Sequence, residues 1–180
     1  SNLFADEGQL LFDDGWSGRH DVTRRDQLAA LGQVFAALDA DAVMVIEAPE
    51  SNRRRSGTDA LQNFAAHFGL RTRSALMGFD NHTQQEICLL YDPDKLTVRH
   101  DPQGEVTGKK GSEQSPRFDG VFRIDLDIDA TEDLVRWSKP PLEVALTTPD
   151  GAQIRLIGVH AKSKAPHGAR SEAEVLRVSI

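Results

Sequence analysis

A single cysteine, Cys88, is present, so no disulfide framework can hold this chain together. It lies in the apolar run Ile87-Cys88-Leu89-Leu90-Tyr91, where a thiol is expected to act as a small buried hydrophobe. One thiol leaves the redox compartment open. Aromatic residues are scarce, at 6%, which leaves little for stacking bases and argues against a nucleic-acid binder without chemistry. Positive charge is the minority sign: 21 Lys and Arg face 28 Asp and Glu, for a formal net charge of -7. That balance argues against a broad polyanion-coating surface and leaves room for a local basic rim. No stretch approaches the roughly 18 to 20 apolar residues needed to cross a bilayer, and no signal peptide is visible. The expectation is a soluble protein, cytoplasmic or secreted after processing.

What is present fits one globular domain, or the larger part of one: 180 residues, 39% hydrophobic and 27% charged. A domain of this size buries roughly 70% of the surface that its unfolded chain exposes, so a core is within reach. Residues 24–39 carry Leu28, Leu31, Val34, Phe35 and Leu38 at the three-and-four spacing of an amphipathic helix, and Asp39-Ala40-Asp41 breaks it. A second helix is expected over 58–68, with Leu61, Phe64, Ala65 and Phe68 on one face and Gly69 as its stop. Strands are expected over 42–46, 71–77, 86–91, 95–100 and 121–127, the third and fourth joined by the turn Asp92-Pro93-Asp94. Residues 103–116, rich in Gly, Lys, Ser and Pro, read as an exposed loop. The clearest hairpin joins 142–147 to 153–160 across Thr148-Pro149-Asp150-Gly151, and a last helix is expected over 171–178. Helices followed by meandering strands suit an α/β or α+β sandwich with antiparallel pairing better than a doubly wound parallel sheet.

Two polar residues close apolar strands. Glu47 ends Ala42-Val43-Met44-Val45-Ile46, and His160 ends the stretch running from Ile154 to Val159. Burying a charge without a partner is costly, so a polar group at the end of a buried strand marks where the sheet reaches a site. Taken singly, Glu47 is a carboxylate where a strand meets solvent, and His160 is a hydrogen-bonded structural histidine.

Three blocks together say more. The stretch from Asp41 to Glu47, the stretch from Glu86 to Tyr91, and Ile157-Gly158-Val159-His160-Ala161-Lys162-Ser163-Lys164 resemble, in this order, successive blocks of the endonuclease/exonuclease/phosphatase superfamily of DNase I-like enzymes. The likeness runs the length of the chain but covers only the first half to two-thirds of that family's usual length. It implies an α+β fold, a DNase I-like α/β sandwich with mixed, largely antiparallel sheets, incomplete in this chain. It also implies hydrolysis of a phosphodiester or phosphomonoester with Mg2+ or Mn2+ as cofactor. By the same resemblance Glu47 is the metal ligand and His160 the catalytic contact to the scissile phosphate. Lys162 and Asn81 are the substrate-binding residues. The substrate class, whether nucleic acid, lipid head group or sugar phosphate, stays open.

The departures are as informative. The Asn expected in the family's first strand is not in this chain, since Asn2-Leu3-Phe4 resembles the segment just after that strand. The Gly-Asp-x-Asn block that supplies a base, and the closing Asp-His pair, are missing too. These residues are therefore expected to hold about half of an active site. The alternative is a non-catalytic phosphate-binding or scaffold module that self-associates or pairs with a complementing fragment. Arg53-Arg54-Arg55 could reach a phosphate or simply be solvated. Arg170 is read as a partner for a carboxylate, and Pro140-Pro141 as fixing where the hairpin begins. His20, His67, His100 and His167 lack the spacing of a zinc site.

Overall fold

The computed structural model describes residues 2–18, 21–79, 85–104, 122–124, 133–135 and 139–161. Their order is α1 (Arg24–Leu38), β1 (Ala42–Pro49), α2 (Gly57–His67), β2 (Ser74–Met77), β3 (Gln85–Tyr91), β4 (Thr97–His100), β5 (Phe122–Ile124), β6 (Asp133–Val135), β7 (Leu142–Thr147) and β8 (Gln153–Gly158). This is an α+β arrangement. Every strand pair among the described residues is antiparallel. One sheet runs β1-β3-β2, a second β4-β7-β8, and β5 pairs with β6.

Both helices start where side chains supply the missing hydrogen-bond acceptors. Thr23 caps α1 by accepting from the Asp26 N–H, and Ser56 caps α2 by accepting from the Asp59 N–H. Helix α1 stops at Asp39, whose φ of 39° is left-handed. Its Gly32 is required by contact: a Cβ there would sit 2.3 Å from the ring of Phe68. Leu3, Leu28 and Phe64 form the core beneath the helices, and the Phe35 ring meets the Phe64 ring edge-on at 5.3 Å.

Period-two alternation sorts the strands into layers. On one face of the first sheet Cys88 and Leu90 pack with Leu61 of α2 and with Val43 and Val45. On the other, Ile87 and Leu89 pack against Leu142, Val144 and Leu146 of β7. The described layers are therefore helices, sheet, sheet. Cys88 is fully buried, and that burial pushes its thiol pKa up to about 12, so it stays protonated and inert.

Several boundaries differ from expectation. Strand β2 begins at Ser74 because Arg71 and Arg73 are drawn out of the ladder by carboxylates. Arg71 binds Asp39, Asp41 and Asp92, and Arg73 binds Asp94. Strand β4 begins at Thr97 because the Lys95 and Leu96 N–H groups turn back to the Asp92 carbonyl. Strand β8 ends at Gly158 and, among the described strands, lies at a sheet edge with most of its residues exposed, so it is not the buried strand expected ahead of His160. The short strand β6 was not anticipated. The expected helix over 171–178, most of the 103–116 loop and much of the strand over 121–127 lie outside the described residues.

Leu89 has no exposed surface and sits between the two sheets. Leu89→Ala is expected to cost about 2–5 kcal/mol in urea unfolding. Ile157→Ala, at a side chain about half exposed, should stay within about 0.5 kcal/mol of the parent.

Candidate functional site

The first sheet carries an irregularity at Glu47. Pairing with β3 runs in step from Ala42↔Tyr91 to Ile46↔Ile87, then resumes at Ala48↔Glu86, leaving Glu47 as the extra residue of a β-bulge. Its φ is +62°, a left-handed conformation that costs a residue with a Cβ about 1–2 kcal/mol. The bulge has a packing consequence. It shifts the alternation by one, so that Ala48 joins Val43 and Val45 on the helix-facing side and the Glu47 side chain stays at the rim.

The second sheet delivers His160 to the same rim. Gly158, at the end of β8, packs so closely on the first sheet that a Cβ there would lie 2.6 Å from the Met44 sulfur and 3.0 Å from Ile87 Cγ2. Two residues further on, His160 Nε2 lies 3.1 Å from Glu47 Oε1. The imidazole is largely enclosed, with 12% of its side chain exposed, whereas the carboxylate is 51% exposed. One carboxylate oxygen faces the ring, and the other has no hydrogen-bond partner among the described residues.

Of the four site residues expected from the sequence, the structure therefore brings Glu47 and His160 together. Asn81 and Lys162 lie outside the described residues, as does Arg170. Beside Glu47 a groove of about 600 Å³ runs between α1 and β1, lined by Leu31, Phe35 and Met44 with Asn2, Gln27 and Glu47 as polar members. The Gln27 Oε1 atom is buried and has no hydrogen-bond partner among the described residues. The groove follows the edge of β1 remote from β3, against which no described strand pairs.

Glu86 was not singled out from the sequence, where it only opens the strand expected over 86–91. It is in fact buried, at 1% exposed, and stands across the bulge in register with Ala48. Its only sequence signal is an acidic residue opening an apolar run. Among the described residues no cluster of three or more His, Cys, Asp or Glu is gathered as metal ligands. Comparisons with protein-family models, with curated proteins and with solved structures found no match.

The left-handed φ at Glu47 makes an ordering testable. Glu47→Ala and Glu47→Gly both remove the carboxylate, but only glycine adopts this backbone without strain. The Gly variant should be the more stable by about 1 kcal/mol in denaturant unfolding, the reverse of ordinary strand preference. An Ala variant as stable as the Gly variant would mean that the bulge is absent in solution.

Proposed function

We propose that this chain is part of a metal-dependent phosphoesterase with a DNase I-like α/β sandwich, acting on a phosphodiester or phosphomonoester. The observation that carries the reading is the meeting of Glu47 and His160, 113 residues apart, at 3.1 Å on one rim. Two antiparallel sheets packed face to face, with helices over the first, are in keeping with such a sandwich.

The donor set suits Mg2+ or Mn2+ better than a softer ion. A half-exposed carboxylate with one unengaged oxygen is the kind of ligand a hard cation takes while keeping several waters, and no thiolate is near. Glu47 would hold the cation, which when bound supplies Lewis acidity and a template for attack on phosphorus. His160 is held in place by Glu47 and, when protonated, can donate a hydrogen bond to a phosphoryl oxygen as negative charge grows there. Its enclosure makes that bond stronger than it would be in open water. Lys162 and Asn81 are proposed as substrate contacts, the first as a point charge. The group that orients the attacking water is not assigned to this chain, which carries part of the active site.

In the full polypeptide that carries this chain, Glu47→Gln and His160→Ala should each lower Mg2+-dependent phosphodiester hydrolysis by on the order of 10²–10³ in kcat. Chelation should abolish the activity. Wild-type rates in both variants would overturn the mechanism.

A second reading has its own support. The edge of β1 that no described strand covers, and the apolar groove beside it, are what a partner strand would cover, as in recognition by strand addition. A phosphate-binding module completed by another polypeptide, or by a second copy, would present this surface. Sedimentation equilibrium separates the readings: a stable dimer or hetero-complex that buries β1 favours the module, and a monomer favours the enzyme.

A further inference from the structure

We infer that the loop after β1 is a second anion subsite, so that the substrate of the proposed phosphoesterase carries at least one phosphate besides the one hydrolysed. The inference rests on that proposed function for the position of the reacting phosphate. It adds the substrate class.

The observation is an imbalance of charge in one place. Every other arginine whose side chain is described holds a carboxylate, from Arg24 on Asp13 to Arg155 on Asp101. Arg53 and Arg54 hold none among the described residues, and both are exposed. Their neighbour Arg55 is neutralised by Asp6 at 2.8 Å and Glu50 at 3.2 Å. In a chain of net charge -7 with acidic residues to spare, two adjacent arginines left without a carboxylate stand out. Their positive field is uncancelled locally and available to an anion from outside.

The loop is also shaped. Asn52 Oδ1 accepts from the backbone N–H groups of Arg54 and Arg55, at 2.8 and 3.0 Å, while the Asn52 N–H donates to the Arg55 carbonyl at 2.9 Å. Ser51 Oγ accepts from the Gly57 N–H at 2.9 Å, tying the start of the loop to the start of α2. The Arg55 ion pairs tie it to the N-terminal segment. Arg53 and Arg54 are thus carried on a closed turn, which lowers the entropy lost on binding. Six residues separate Arg53 from Glu47, so their Cα atoms are at most about 20 Å apart. At roughly 3.4 Å of rise per phosphate along a strand, that is within about six nucleotides of the rim where Glu47 and His160 meet. A guanidinium matches phosphate oxygens in a fork, which suits this task better than a lysine.

The chemistry recognised is a chain of phosphates, supplied either by an oligonucleotide backbone or by a compact polyphosphate. The test reads binding without turnover: fluorescence anisotropy of a labelled 12-nucleotide single strand with the 180-residue chain in EDTA, over a range of salt. In the double variant Arg53→Gln/Arg54→Gln the affinity at low salt should fall at least about fivefold, and the slope of log K against log salt should shrink by about 1 to 2. The double Lys variant should retain most of the slope, and Arg25→Gln, at a paired arginine elsewhere, should change neither. Competition by tripolyphosphate at equal phosphate concentration would assign the subsite to compact polyphosphates. Resistance to it would assign the subsite to a backbone. An unchanged slope in the double Gln variant, or an equal loss in Arg25→Gln, would overturn the inference. Arginine-dependent binding by a polypeptide that hydrolyses no phosphate ester would instead remove the phosphoesterase reading and leave the subsite.

Discussion

The two sheets approach closely where Gly158 lies against Met44 and Ile87, and the rest of the candidate site depends on that approach. A side chain at 158 would have to displace the Met44 sulfur, pushing the end of β8 away from β1. With only hydrogen there, the chain leaves β8 low over the first sheet and reaches His160 at the height of Glu47. The buried leucines and Val144 between the sheets hold this spacing, because interiors packed at crystal-like density resist separation. Fold stability and site geometry are thus set by the same packing.

The bulge at Glu47 is the second half of the arrangement. An unbroken ladder would have placed residue 47 in alternation with its neighbours and turned Ala48 toward the other sheet. The extra residue instead keeps Ala48 under the helices and leaves a carboxylate at the rim in a left-handed backbone. Glycine would relieve that strain, and the chain has glutamate. A non-glycine residue in a costly conformation, touching an enclosed histidine, is in keeping with the role proposed for Glu47.

Much of the fold was legible because its elements are strongly periodic. Leu28, Leu31 and Phe35 announce α1, and the run from Ile87 to Leu90 announces a central strand. Less legible were features decided by distant partners. Arg71 and Arg73 read as the start of a strand until their carboxylates at Asp39, Asp41, Asp92 and Asp94 are seen to draw them away. The exposure of β8 follows from its place at a sheet edge, which its own residues do not encode. At the site, Glu47 and His160 were visible as polar ends of apolar runs. The bulge was not visible, since nothing in the order Ile46-Glu47-Ala48 signals a positive φ. Glu86 was hidden because an acidic residue at a strand start has the same sequence appearance whether solvated or buried. The lone charge of Arg53 and Arg54 emerges only when the other arginines are seen paired.

If Glu47 holds the proposed cation beside His160, substoichiometric Mn2+ reveals it directly through paramagnetic broadening of histidine ring resonances. The His160 ring protons should then broaden first, ahead of those of His67 and His100, and Glu47→Gln should remove the preference. Broadening that begins at another histidine, or that persists unchanged in Glu47→Gln, would contradict that placement.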